Sequence, residues 1–332
     1  MKKVLVTGGA GYVGGVMVPY LLAKGYAVTV YDAMFFGGEH LAPHPNLTLI
    51  DGDIRDTAKL ARAFPGIDVV LHLACISNDP SFELDPKLSE SINYDCFEPM
   101  VVAAKQAGVR RFVYCSSSSV YGVSDKPEVT EDHPLLPVSL YNKFKGMCEP
   151  LLFRHMTPEF ECVTIRPATV CGYSPRMRLD LSVNILTNLA VNQGRITVFG
   201  GAQLRPNLHI QDMTELYELM IEAPKEKIQG ETFNVGAQNL SIARIAEIVR
   251  DVVAQEYPEK GPIEIVTTES NDPRSYHINA EKIFRVLGYR PKRTIEDAAR
   301  DLCRAFKAGL LPNSLTDERY FNVRTMKGQK AA

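Results

Sequence analysis

The segment Val4-Leu-Val-Thr-Gly8-Gly-Ala-Gly11-Tyr-Val-Gly14 ends an apolar run with three glycines spaced three apart, close to the start of the chain. A strand ending at Thr7 must turn sharply into a helix there. Glycine permits that turn, and it lets a ligand approach the backbone N–H groups at the helix start. A third glycine, Gly14, is expected to let the helix pack tightly on the sheet. The anion suited to such a turn is a nucleotide diphosphate. Gly8, Gly11, Tyr12, Val13 and Gly14 are therefore candidate cofactor-binding residues. Alone, the pattern also fits a plain tight turn, so the residues downstream decide its meaning.

Short apolar or β-branched runs recur at Val4–Thr7, Ala27–Tyr31, Leu47–Ile50, Val69–Leu73, Phe112–Cys115 and Cys162–Ile165. Between most of them lie helical patterns at Met17–Lys24, Ala58–Phe64, Ile92–Ala107 and Lys143–His155. Strands apolar on both sides, alternating with helices, predict an α/β fold with a doubly wound parallel sheet of the Rossmann kind. Pro150 falls inside the last of these helices and is expected to kink or end it. From Gly172 the pattern is less regular. Helices are expected at Leu181–Asn192, Met213–Glu222, Ile242–Val253, Ala280–Val286 and Ile295–Phe306, with strands at Ile196–Phe199, Thr232–Val235 and Ile263–Val266. This reads as a cofactor-binding domain over 1–171, with a later contribution from about 205–236. A smaller C-terminal substrate-binding lobe over 172–332 interleaves with it. The aromatic tail Arg319-Tyr-Phe-Asn-Val-Arg324 is expected to dock.

The 37 Lys and Arg residues balance 39 Asp and Glu residues, a formal charge of −2, which gives no global field toward nucleic acid or an anionic membrane. No apolar run approaches the ~18 residues of a membrane span. Seven cysteines, at 75, 96, 115, 148, 162, 171 and 303, show no C-x-x-C spacing. They read as reduced thiols in a cytoplasmic protein, with neither a disulfide framework nor a metal site. Cys75 reads as a small core residue, and His72 as a satisfied strand residue.

Asp32 closes the second strand, where a carboxylate accepts both ribose hydroxyls of an adenosine and repels a 2′-phosphate. Ala33 and Met34 bring no cation, so NAD is favoured over NADP. Asp53 follows the third strand and either contacts the adenine or caps the segment after Arg55.

Tyr141 and Lys145 stand four apart, on one helix face. A free phenol titrates near ~10, so its use as a base needs a cation beside it to favour the phenolate. Lys145 is expected to supply one, which makes Tyr141 a general acid/base. The cluster Cys115-Ser116-Ser117-Ser118-Ser119-Val-Tyr121-Gly122 ends the fifth strand, at the sheet edge where open α/β folds bind ligands. A hydroxyl there can bond the substrate oxygen that gains or loses a proton.

Together these residues resemble the extended short-chain dehydrogenase/reductase family, its NAD-dependent epimerase/dehydratase group that acts on nucleotide sugars. The resemblance rests on the glycine turn, Asp32, Asp53, Leu71-His-Leu-Ala74, Ser-Ser-x-x-Val-Tyr-Gly, Tyr141/Lys145, Arg166-Pro, and Arg205 before His209-Ile-Gln-Asp212. It implies NAD as cofactor, touched also by Ile54, Leu73, Ala74, Tyr141 and Lys145, and a catalytic set of Ser117, Tyr141 and Lys145. It implies a nucleotide-diphosphate sugar bound by Ser117, Ser118, Asn184, Arg205 and Arg274, and a homodimer built on the two helices around Ile92–Ala107 and Lys143–His155. The 4,6-dehydratases it resembles carry an Asp-Glu pair where this chain has Ser118-Ser119, which argues against elimination. GDP-fucose-synthase-like relatives use a Cys at the position of Ser119 and a His after the sixth strand, absent from Gly172 to Asp180. The implied chemistry is 4-epimerisation through a transient ketone. Net oxidation or reduction at one carbon, with a nucleotide-linked heptose as one candidate substrate, is the alternative, and a non-catalytic NAD-binding regulator is the remote one. Arg176 and Arg178 either meet an unusual sugar or pair with Asp180. Thr169-Val-Cys-Gly172 departs from the family's Asn-Val-Tyr-Gly, which leaves the sugar open.

Overall fold

The computed structural model describes residues 1–270 and 275–330. Its centre is a seven-stranded parallel sheet. Six strands come from the first half: β1 (Lys3–Thr7), β2 (Ala27–Asp32), β3 (Leu47–Asp51), β4 (Val69–His72), β5 (Arg111–Cys115) and β6 (Glu161–Pro167). After β7 (Thr169–Cys171), β8 (Arg195–Phe199) and β9 (Leu204–His209), the chain returns to add β10 (Thr232–Val235) beside β6. The order β10-β6-β5-β4-β1-β2-β3 reverses between β1 and β4. Their registers bring Thr7 level with both Tyr31 and His72, so the carboxyl ends of the central strands open onto one crevice.

Each face of the sheet is sealed by helices whose apolar stripes match it. Met17, Val18 and Leu21 of the helix Gly14–Ala23 pack with Met213, Leu216 and Tyr217 of the helix Ile210–Glu222 on one face. Phe97, Met100 and Val101 of Phe97–Gln106, with Cys148 and Leu152 of Leu140–Arg154, cover the other. His72 is hydrogen bonded to Thr7 Oγ1 through Nδ1 at 2.6 Å and sits among Phe97, Phe112 and Tyr114, a strand residue satisfied in place.

Two small sheets complete the molecule. β11 (Gln238–Ser241), β9 and β7 form one; β12 (Glu264–Thr268) pairs with β8 in the other. The sequence reading missed β7, β9 and β11. They are short and polar, and Pro206 lies opposite Asn239 within β9, where a residue without an N–H argues against a strand. The expected helix Ile92–Ala107 is interrupted: a π-turn over Ser91–Asp95 precedes Phe97–Gln106. The Asn93 amide there holds both the N–H and the C=O of Ile76, and widening of the turn accompanies that insertion. Pro150 does not end its helix, which runs on to Arg154 with the proline ring on the exposed side. Among the described residues, no helix is long and apolar enough to cross a membrane.

The glycine turn differs from expectation in detail. It is Gly9 whose absent side chain lets the turn lie against β2, since a Cβ there would fall 2.8 Å from Val30 Cγ2. A Cβ on Gly14 would fall 2.1 Å from the Gly9 carbonyl oxygen, so Gly14 closes the turn on itself. Gly8 has φ +74°, and its Cβ would reach 2.6 Å from the Ala74 amide nitrogen. Gly14→Ala is therefore expected to destabilise the protein by more than ~3 kcal/mol, the upper end of ordinary overpacking. Gly108→Ala, at φ +82° with nothing within 4 Å, should cost only ~1–2 kcal/mol. Urea denaturation of the two variants measures the contrast.

Candidate active site

The crevice above β1 and β4 gathers most of the residues picked from the sequence. Gly8, Gly11, Tyr12, Val13, Asp32, Asp53, Ile54, Leu73, Ala74, Ser117, Ser118, Tyr141, Lys145 and Arg205 all line it. Gly14 and Asn184 do not, and Arg274 lies outside the described residues. Asn184 is wholly buried and its amide is committed to the protein. Oδ1 accepts from Gly172 N, while Nδ2 donates to the Tyr12 hydroxyl and to the Arg178 carbonyl. It ties Tyr12, Gly172 and Arg178 together behind the cleft wall.

At the cofactor end, Asp32 accepts the N–H groups of Ala10 and Met34, one on each carboxylate oxygen, which aims the carboxylate across the glycine turn. Burial pushes its carboxyl above the ordinary value, while those N–H groups and the charge of Arg176 oppose the shift. Asp53 is not a helix cap: Asp56 caps the helix Thr57–Ala61. Asp53 pairs with Arg55, which holds its carboxyl below the ordinary value, and its side chain stays on the cleft wall.

At the other end Ser139 caps the helix Leu140–Arg154, accepting from Asn142 N, and so fixes where Tyr141 and Lys145 emerge. Lys145 Nζ donates to the Cys115 carbonyl at 2.7 Å and sits 5.2 Å from the Tyr114 ring centroid. Burial holds the Tyr141 phenol well above its ordinary value. The charge of Asp79 adds to that, and the charge of Arg178 opposes it. Ser117 Oγ lies 2.7 Å from Ser119 Oγ and accepts the Ser119 N–H, and Ser119 Oγ donates to Asn142 Oδ1. Because the amide oxygen only accepts, the Ser119 proton is spoken for and the Ser117 hydroxyl is the donor between the two serines. The segment after Ser117 thus ends in hydroxyls tied to an amide, with no carboxylate among them.

A buried ion pair anchors this end. Arg166 on β6 donates to both Glu149 oxygens, and the two side chains are only 7% and 5% exposed. The same carboxylate accepts from Ser116 Oγ at 2.6 Å, and Arg166 Nη1 donates to the Tyr121 hydroxyl at 2.6 Å, which in turn donates to Asn234 on β10.

The two arginines left open by the sequence part company. Arg178 pairs with Asp180 at 2.9 Å and donates to Ser77 Oγ. Arg176 stacks on Phe36 at 3.7 Å and donates to Asn322 Oδ1. Both line the cleft, as do Cys75 and Asn322. Cys75 is half-buried beside the Tyr141–Lys145 end, so it is not the core residue expected. Asn142 and Asn322 were missed. Asn142 adjoins Tyr141 but belongs to no spacing pattern, and Asn322 sits in the tail whose docking was foreseen without its target.

The comparisons agree with this geometry. A UDP-glucose 4-epimerase from Lactobacillus helveticus is 29% identical over 310 residues, covering 87% of this chain and 92% of that protein. A UDP-N-acetylglucosamine 4-epimerase from Methanobrevibacter ruminantium M1, solved with UDP-N-acetylmuramic acid, superposes with a TM-score of 0.82 at 25% identity, over 93% of this chain and 99% of that one. A dTDP-glucose 4,6-dehydratase from Streptomyces venezuelae, solved with NAD and TYD, gives 0.80 at 26% identity, over 92% and 97%. Residues 4–236 match the NAD dependent epimerase/dehydratase family, a span that holds the glycine turn, Asp32, Ser117, Tyr141 and Lys145, and the chain belongs to that family.

Proposed function

We propose that this chain is an NAD-dependent nucleotide-sugar 4-epimerase working through a transient 4-keto sugar. The observation that carries the reading is the pairing of Ser117, Tyr141 and Lys145 in one cleft with Ser118-Ser119 where elimination would need carboxylates. The residues present fit the dinucleotide. Gly8 and Gly11 line the cleft at the strand-to-helix turn, Asp32 is aimed by two N–H groups, and buried Arg176 Nε has no protein partner among the described residues.

Gly8, Gly11, Tyr12 and Val13 hold the diphosphate in this reading, Asp32 the adenosine ribose, and Asp53 and Ile54 the adenine side. Leu73, Ala74 and Lys145 hold the nicotinamide side. When bound, NAD supplies reversible hydride transfer at the sugar carbon. Tyr141 takes the proton of the sugar 4-hydroxyl and returns it, and Ser117 bonds the same oxygen. Arg205, stacked 4.8 Å over Tyr276, and Ser118 contact the nucleotide sugar. Arginine suits the substrate diphosphate because its planar fork donates two bonds at once. The helices Phe97–Gln106 and Leu140–Arg154 form the interface of a homodimer in this reading, which sedimentation velocity measures.

A panel of UDP-, dTDP-, GDP- and CDP-sugars incubated without added NAD, with products read by NMR, tests the reaction. The expected outcome is interconversion of 4-epimers. Net NADH, or a 4-keto product, would make the chain a dehydrogenase or reductase instead. Tyr141→Phe is expected to lower turnover by at least ~100-fold while NAD stays bound. In this reading the charge of Arg178, which is paired with Asp180 on the cleft wall, acts with Lys145 to favour the Tyr141 phenolate. Removing it raises the phenol further, so in Arg178→Met the rising limb of the kcat/KM–pH profile should move to higher pH. An unmoved limb would sink that role for Arg178.

A further inference from the structure

Arg176 is an incompletely satisfied charge in the cleft. It is 6% exposed, and it lines the cleft. Among the described residues Nε has no partner and no carboxylate lies within ion-pair distance; a hydrogen bond runs from Nη2 to Asn322 Oδ1. A buried guanidinium so placed stays charged at neutral pH and is costly without an anion. Burial accordingly pulls its pKa below the ordinary arginine value, and the neighbouring charge of Arg178 acts the same way.

Its position says which anion. The loop that carries it is bolted to the glycine turn: Tyr12 Oη donates to the Gly172 carbonyl at 2.6 Å, and Ser174 Oγ donates to the Tyr12 carbonyl at 2.7 Å. Two residues on, the guanidinium carbon sits 3.7 Å from the ring centroid of Phe36, from the loop after β2, within electrostatic reach of Asp32. It lines the same cleft as Gly8 and Gly11 of the turn and as Asp32, whose charge it feels. Asn322 secures it from the far end of the chain: its own N–H donates to Asp180, and its Nδ2 donates to Ser77 on the opposite wall. The family match ends at residue 236, well before this asparagine.

We propose that Arg176 binds the diphosphate of the dinucleotide and that Asn322, by fixing Arg176 and bridging the two walls, locks the cofactor in the cleft. The C-terminal segment is then part of the cofactor site. This rests on the family's cofactor and on no particular sugar reaction, so its failure would leave the 4-epimerase reading standing.

The test is ligand affinity of the stripped protein by calorimetry, beside the NAD content of each preparation. Arg176→Met should weaken NAD and ADP by about tenfold to a hundredfold, the worth of charge-assisted bonds, and leave adenosine unchanged. Arg176→Lys should recover part of the loss. Asn322→Ala, which keeps the guanidinium, should release bound NAD several-fold faster in a stopped-flow chase. NAD and ADP bound as tightly by Arg176→Met as by the parent would overturn the proposal. So would an equal loss for adenosine, or a loss confined to 2′-AMP, which would place the guanidinium at the ribose edge. If Arg176→Met does not fold, as read by circular dichroism, the Asn322→Ala release rate decides, and an unchanged rate overturns the lock.

Discussion

The site depends on one buried ion pair, Glu149 with Arg166. Such pairs contribute little net stability, because desolvation offsets most of the attraction, so the value of this one is geometric. Strands of a parallel sheet meet only side by side, and the loops leaving their carboxyl ends have no pairing to hold them. Here one carboxylate gathers the end of β5 through Ser116, β6 through Arg166, and the helix that presents Tyr141 and Lys145. The guanidinium continues through Tyr121 to Asn234 on β10. Helix, serine loop and the last strand of the sheet are therefore indexed to a single point, which is what a proton donor and a hydroxyl that must meet one substrate oxygen require.

Much of this was legible because the chemistry is local in sequence. The glycine turn, Asp32, the serine run and Tyr141/Lys145 each announce themselves by spacing, since a turn, a strand end or one helix face fixes the distance between the groups. Where spacing carried no information the reading failed. Asn184 offered a plausible ligand amide, yet its bonds go to Tyr12, Gly172 and Arg178, partners that no pattern relates to it. Gly14 was assigned to sheet packing, a task that falls to Gly9, because only the coordinates show which Cβ would collide with which atom. β9 was hidden by Pro206, and Arg176 stands 146 positions from the asparagine that holds it.

The serine run shows how little separates branches of one family. A carboxylate at 118 or 119 would bring an acid or base to the carbons beside the ketone; here Ser119 is bound to Asn142, and an amide neither takes up nor releases a proton. The chain of bonds from Ser117 therefore orients a hydroxyl and carries no charge away. In the proposed mechanism proton traffic is left to Tyr141, whose phenolate is opposed by burial and favoured by the charge of Arg178. That division suits a reaction that must give back the proton it borrows.

The cleft also has an order of assembly written into it. The glycine turn belongs to the first strand and helix, whereas Asn322 joins Ser77 to Asp180 and Arg176 from the other end of the sequence. A chain growing from its amino terminus on the ribosome exposes the cofactor floor early and completes its wall late. In the proposed arrangement, firm capture of the dinucleotide waits until Asn322 has been made, 146 residues after the arginine it holds.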